Sequence, residues 1–471
     1  MIVADDLTTL VGTAAAIGHV TIAGAVTVHV LLYKRNVGAA VSWIGIAWLS
    51  PFLGGLLYAI MGINRVKRRA KRLRRERLPL AIAGPGLASA ATDSLSPLEY
   101  AVGRLTGLPS EAGNSVEVLR SGDQAYPRML EEIERARKSI GLCSYIFRAD
   151  AVGEKFHQAL IRAQRRGVQV RVLIDGVGGG YFWSGTYRRL HKAGVPVARF
   201  LHSYFPWRMP FVNLRNHRKV LVLDGHVAFT GGLNIGAENV EESDPLHRVR
   251  DTHFRIEGPV VEQLSEAFAD DWLFTTGEQL LTESWFPVLE KVGSVAARVI
   301  TSGPDEDMEQ IEYVALHAIS CARQSVRLVT PYFLPPEPLT MALGLAAMRG
   351  ITVDIVLPER SNHAILDWAR RVPLRLLVEA GCRIWLMSPP FDHSKLMTID
   401  DSWSLIGSAN WDTRSFRLNF ELNVELHDGQ FARQLVELIR PELRMTLADI
   451  DGDGLLIRLR NSAARLLQPY L

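Results

Sequence analysis

Only three cysteines, Cys143, Cys321 and Cys382, occur in 471 residues. They are scattered and odd in number, so neither a disulfide framework nor a cysteine metal site is expected, which suits a reducing compartment. Charge is missing as well, from two long runs: residues 7–33 and 36–64 contain no Asp, Glu, Lys or Arg. Each exceeds the roughly 20 residues that cross a bilayer core as a helix. The first run follows Asp5 and Asp6 instead of a basic leader, and the second succeeds it at once, a pattern unlike a signal peptide. A two-helix transmembrane anchor over residues 1–64 is therefore expected, turning at Lys34 and Arg35, with Pro51 absorbed as a kink. His19 and His29 fall on different faces of the first run, where packing roles are expected.

The overall formal charge is only +3, and its distribution is uneven. Residues 65–77, RVKRRAKRLRRER, carry nine Lys or Arg and one Glu, a net +8 that leaves −5 for the rest. At a bilayer boundary such a segment follows the positive-inside rule and is attracted to anionic headgroups. The expected topology puts both termini in the cytoplasm, with Lys34 and Arg35 outside. Residues 65–114 read as a basic juxtamembrane segment and a Pro-, Ala- and Gly-rich linker with at most one short helix.

From residue 115 apolar strands alternate with helical patterns, and the order occurs twice. ARKSIGLCS (136–144) is echoed by ARQSVRLVT (322–330), and RGVQVRVLID (166–175) by RGITVDIVLP (349–358). The expected fold is α/β, a duplicated domain of two α/β/α lobes with pseudo-two-fold symmetry, over residues 115–285 and 286–471. The repeat culminates in NHRKVLVLDG and DHSKLMTIDD, both His-x-Lys-x-x-x-x-Asp. These supply His217, Lys219 and Asp224, then His393, Lys395 and Asp400. Small-residue turns follow, TGGLN and IGSAN, and each places an asparagine seventeen positions after its histidine: Asn234 and Asn410.

On a strand, residues two apart share a face, so each histidine should point with its lysine. Asp224 and Asp400 complete the catalytic motifs, yet should anchor local structure instead of touching substrate. The turns at Gly232 and Ser408 would let backbone N–H groups and the two asparagines approach an anion. Two His, two Lys and two Asn then make a pocket for a phosphate, with no metal and no cofactor. One imidazole attacks phosphorus while the other protonates the departing oxygen, then deprotonates the incoming hydroxyl. Positioned proton transfer contributes about 10²–10⁴-fold. Asp251 and Glu421 are expected to orient the rings, with the pairing left open.

The paired motifs, together with WLSPFLGGLLYAIMG, RDTH (250–253), the Asp271–Trp272 pair, TPYFLP (330–335) and GSANWDTRSFRLNFELN (407–423), resemble the phospholipase D superfamily, and within it the bacterial cardiolipin synthases. That resemblance implies transfer of a phosphatidyl group between two phosphatidylglycerol molecules with release of glycerol, His217 being the nucleophile and His393 the acid/base. It implies anionic phospholipid and the bilayer as partners and no nucleic acid, and leaves room for a homo-oligomer. Asp392 and Ser394 depart from the usual Leu and Ala; a carboxylate beside His393 is expected to raise its pKa. The aromatic, Arg-containing stretch 203–211 suits a lipid-contacting loop or a packed loop spanning the lobes. A membrane-bound phospholipase D using water or another alcohol, a phosphatidylserine synthase, a nuclease of the same superfamily and a non-catalytic scaffold are the competing readings. Asp449–Gly454 imitates the start of an EF-hand, but Arg460 stands where a bidentate Glu is needed, which excludes calcium there.

Overall fold

A computed structural model describes residues 2–34, 37–62, 95–203, 214–244, 247–304, 309–438, 443–451 and 454–468. The basic segment 65–77, nearly all of the stretch 203–211 and part of the EF-hand-like sequence lie outside the described residues. The chain divides into two compact units, the N-terminal helices and the body that carries the repeated motifs.

The N-terminal unit opens with a helix, Ile2–Tyr33, of which Leu10–Tyr33 is long and apolar enough to cross a membrane. The second charge-free run is not one helix. It forms Val37–Leu49, breaks at Ser50, and resumes as Pro51–Leu57 and a π turn, Tyr58–Gly62. Pro51 disfavours helical torsions at the residue before it, and Ser50 sits at φ −146°, ψ 75°. Thirteen residues rise only about 20 Å, short of a bilayer core. Gly54 permits the fold: a Cβ there would lie 2.6 Å from the Ile46 carbonyl oxygen. His29 packs as expected, its Nδ1 2.7 Å from the Tyr58 hydroxyl.

In the body, the first repeat supplies strands β1 (Glu111–Arg120), β2 (Ser139–Ser144), β3 (Gln169–Asp175), β4 (Val197–Phe200), β5 (Val220–Leu223), β6 (Val227–Gly231) and β7 (Thr252–Glu257). The second supplies β8 (Val295–Ser302), β9 (Ser325–Val329), β10 (Thr352–Pro358), β11 (Arg383–Met387), β12 (Leu396–Ile399), β13 (Trp403–Gly407) and β14 (Asn419–His427). The sheet order is β4-β3-β2-β5-β6-β7-β1-β8-β14-β13-β12-β9-β10-β11, closed at one edge by Leu443–Met445. Reading outward from the β1–β8 pair, each lobe repeats the other's order, which is the pseudo-two-fold. The lobes thus share one continuous sheet.

β2 is buried at every position. Ile140 and Leu142 meet the helices Ser121–Arg135 and Ala151–Arg165, whereas a Cβ on Gly141 would strike Phe268 of the helix Val260–Thr276. The first lobe is therefore covered on both faces. In the second, the helix Gly429–Leu438 buries Phe431, Ala432 and Leu435 over β12 and β13, while the outer strands carry a polar ladder, in which Asp354 pairs with Arg383 at 2.6 Å and accepts from the Trp385 indole at 2.7 Å. Strands alternate in polarity where one face is not packed on helices.

At the lobe junction Arg298 of β8 lies opposite Glu425 of β14, both fully buried and 2.9 Å apart, and Glu425 also accepts from Trp403 Nε1 at 3.0 Å. Removing one partner strands a charge in the core. Arg298→Ala is expected to destabilise the body by about 3–5 kcal/mol. In thermal unfolding in detergent, Arg298→Met/Glu425→Gln should recover most of that loss.

Candidate active site

Each motif begins with a two-residue strand that pairs with the opposite lobe. Arg215–Asn216 runs parallel to Asn419–Phe420, and Phe391–Asp392 runs parallel to Val249–Arg250. Each histidine N–H then donates across the same boundary, His217 to Phe420 O at 2.9 Å and His393 to Arg250 O at 2.7 Å. The residues after those acceptors are Glu421 and Asp251. His217 Nδ1 lies 3.0 Å from Glu421 Oε2, and His393 Nδ1 lies 2.8 Å from Asp251 Oδ2. Every ring is thus held by a carboxylate of the other lobe, the pairing that the sequence left open.

The histidines and lysines do not lie on the motif strands as expected. They occupy the short irregular segments just before β5 and β12. The lysines turn back: Lys219 Nζ donates to the His217 carbonyl at 2.7 Å, and Lys395 Nζ donates to that of His393. Lys395 Nζ is also 2.8 Å from His393 Nδ1, so this nitrogen accepts from the lysine when bare and donates to Asp251 when protonated. Asp224 and Asp400 stand at the far strand ends with φ of 51° and 50°. Asp224 accepts from the N–H groups of Arg137, Lys138 and Ser139, and Asp400 from those of Arg323, Gln324 and Ser325. They anchor structure, in the same way in both lobes.

The turns behave differently from the phosphate cradles expected. At Gly232 a Cβ would come within 2.1 Å of Asp251 Oδ1, so this glycine makes room for the orienting acid. Its counterpart Ser408 donates its hydroxyl to Glu421 Oε2 at 2.5 Å, while its carbonyl lies 3.2 Å from His217 Nδ1. Asn234 Oδ1 accepts from Ile146 N–H at 3.2 Å, fixing the loop after β2. Asn410 differs: among the described residues its buried Oδ1 has no partner, which leaves it for a ligand.

Several neighbours had no role that their motifs alone could assign. Tyr145 presents its ring to His217 with centroids 4.9 Å apart, and Tyr332 does so to His393 at 5.9 Å. Buried Arg218 pairs with Asp271 at 2.8 Å, and Asn216 donates to the same carboxylate at 2.8 Å. Asp271 was visible as half of the Asp-Trp pair, but not its partner.

Burial pushes His393 down to about 3, with the Lys395 ammonium adding to it and Asp251 opposing. His217 is lowered for the same first reason, against Glu421. The expectation that Asp392 would raise His393 fails: the Asp392 carboxyl turns to the Ser394 N–H at 2.9 Å, and burial raises its own pKa. Burial lowers Lys219 to about 7 and Lys395 to about 8. Asp251 and Glu421 are also buried, which alone would raise them. Lys395 with His393, and His217 with Lys219, nevertheless hold them below the ordinary carboxyl range. The free site is therefore two neutral imidazoles, two carboxylates and two lysines near their titration points. Among the described residues no cluster of His, Cys, Asp and Glu could hold a metal ion.

An anion entering this site is held best with those lysines charged. In the free enzyme they titrate near pH 7–8 instead of 10.5. The specificity constant kcat/KM is expected to fall about tenfold per pH unit between 7 and 8 and about a hundredfold per unit above 8, where both lysines have lost their protons. In mixed micelles, Lys219→Arg should move that alkaline limb upward.

Residues 129–272 and 315–440 match a family model described as cardiolipin synthase, phospholipase D-like domain. The major cardiolipin synthase of Bacillus subtilis (strain 168) is 33% identical over 460 residues, covering 93% of this chain and 95% of the relative. Cardiolipin synthase A of Pseudomonas putida is 33% identical over 457 residues, 94% of either chain. The crystal structure of a phosphatidylserine synthase from Haemophilus influenzae Rd KW20 covers 80% of this chain and all of its own at a TM-score of 0.60 and 15% identity, a likeness of fold. With one His-x-Lys-x-x-x-x-Asp motif in each matched segment and similarity over nearly the full length, the chain belongs to the cardiolipin synthase family of phospholipase D-like proteins.

Proposed function

We propose that the protein is a phosphatidyltransferase that joins two phosphatidylglycerol molecules into cardiolipin and releases glycerol, through a phosphohistidine on His217. The observation that carries this reading is the crossed pair of carboxylate-held imidazoles. With Nδ1 engaged, each ring keeps Nε2 for chemistry. Neutral His217 attacks phosphorus through Nε2, and the bond from phosphorus to the glycerol oxygen breaks. His393 gives its proton to that oxygen, and glycerol leaves. The terminal hydroxyl of a second phosphatidylglycerol then returns a proton to His393 as its oxygen attacks phosphorus, and the phosphorus–nitrogen bond breaks to free neutral His217.

His393 must be protonated for the first step although burial disfavours it. The substrate supplies the compensation: two lysines and two carboxylates cancel in the free site, so a bound phosphodiester leaves one uncompensated negative charge. A proton taken up by His393, beside Asp251, neutralises it. Lys219 and Lys395 stabilise the charge on the equatorial oxygens, and Asn410 Oδ1 is placed to accept from a hydroxyl. In the same reading the N-terminal helices anchor the chain in the membrane with the catalytic body in the cytoplasm, where residues 65–77 attract anionic headgroups. The substrate is then drawn from the leaflet to which the chain is tied.

The test uses the full chain in liposomes of labelled phosphatidylglycerol, with chelator present. Cardiolipin and glycerol in equal amounts are expected. Phosphatidic acid as the sole product would assign water as the acceptor and make the protein a hydrolase.

A further inference from the structure

The C-terminal helix Leu455–Arg465 is built inside out. Its buried residues are Asn461 and Ala464, whereas Leu455, Leu456 and Leu459 are 72%, 81% and 56% exposed, and Leu466 just beyond it is 79% exposed. At about 100° per residue, Leu455, Leu459 and Leu466 fall within one narrow outward stripe, and Leu456 extends it. Arginines border the stripe on both sides, Arg458 and Arg465 on one flank and Arg460 on the other. A surface helix of a soluble domain carries the opposite pattern. Leucines edged by arginines are the pattern of a helix lying in a membrane interface.

Beside the Arg460 flank opens a cavity of about 670 Å³. Its lining includes Arg360, Arg370, Arg371, Arg444 and Arg460, against the acids Glu359, Asp367 and Asp449. Asp367 is spent on Arg370 at 3.1 Å, Arg371 donates to the Asp449 carbonyl, and Arg460 lies over the Trp368 ring. Among the described residues, Arg360, Arg444, Arg458 and Arg465 make no ion pair. These lining residues sum to a net charge of +2, and Arg458 and Arg465 border the other edge of the leucine stripe.

We infer that this helix and the cavity beside it form a second membrane contact. In it the leucine stripe enters the headgroup boundary and the arginines take lipid phosphates of an anionic bilayer. Charge complementarity decides for that occupant: an uncharged apolar partner would leave the arginine borders unpaired, and an acidic soluble partner would leave the leucines in water. The inference rests on the phosphatidylglycerol reading only for the choice of lipid.

The test keeps the full chain. Cys321→Ser removes the one cysteine that is not buried, and Leu456→Cys or, separately, Leu466→Cys receives an environment-sensitive fluorophore. Both are made in the inactive His217→Ala background, so that no product forms and the readout does not depend on turnover. Reconstitution compares phosphatidylglycerol with phosphatidylcholine vesicles containing doxyl-labelled lipid. Blue-shifted emission and strong quenching at both positions in phosphatidylglycerol are expected, falling several-fold in phosphatidylcholine and on Arg444→Glu/Arg458→Glu substitution. Water-exposed emission in both vesicles would overturn the inference. So would shielding in lipid-free detergent: one that grows with protein concentration assigns the stripe to a second copy of this chain, and one that does not assigns it to another segment of the same chain.

Discussion

The His393→Ala enzyme, given a phosphatidyl ester of a weakly basic phenol, is expected to release one equivalent of phenol per active site and then stop. Such a leaving group needs no proton, so attack by His217 proceeds without the acid. The second step still needs a base to take the proton from the acceptor hydroxyl, and the phosphatidyl-enzyme accumulates. On phosphatidylglycerol itself the same substitution should cost about 10⁴-fold, the upper end for positioned proton transfer, because one residue serves both steps. His217→Ala should give neither burst nor turnover with either substrate, since no nucleophile remains. Rapid quench with labelled lipid, followed by mapping of the acid-labile, base-stable adduct, reads both outcomes. A burst in His217→Ala that is absent from His393→Ala would reverse the two roles, which the near-symmetry of the site makes the natural alternative.

The duplication was legible because it is local. Each motif, its trailing turn and the strand patterns before it lie within short windows, and the repeated order of β2, β3, β5 and β6 in β9, β10, β12 and β13 follows the echoed sequences. Asp224 and Asp400 were also read as anchors, since both fall at a strand end where only backbone N–H groups are near. What the sequence withheld depends on the dyad. Asp251 and Glu421 are equivalent residues one step beyond equivalent bridges, and no spacing within a lobe reveals that each crosses over. Ser408 reads as a phosphate turn until its hydroxyl is seen on Glu421, and Asp392 reads as a neighbour of His393 until its carboxyl is seen on Ser394. The N-terminal region shows the opposite limit. Absence of charge marks residues 36–64 as apolar, but composition does not say whether Pro51 bends a helix or ends it.

The crossing itself predicts which step each acid serves. Glu421→Gln replaces the charged acceptor of the His217 Nδ1–H with an amide that can present its NH2 to that nitrogen, which favours the tautomer with a proton on the attacking nitrogen. A loss of about 10³–10⁴-fold in kcat is expected, comparable with amide replacement of the orienting Asp in a Ser-His-Asp triad. The loss should fall on the first step, slowing the phenol burst as well as turnover of phosphatidylglycerol. Asp251→Asn acts on His393 instead. It should depress turnover to a similar extent but spare the burst, because the phenol ester needs no acid. It should also add little to His393→Ala, since Asp251 acts only through that ring. If the acids served the histidines of their own lobes, the two variants would exchange phenotypes: Asp251→Asn would lose the burst and Glu421→Gln would keep it. Burst amplitude and rate in the two amide variants therefore report the geometry directly. They do so without disturbing packing, since Asn and Gln preserve shape at positions where Gly232 and Ser408 leave no spare room.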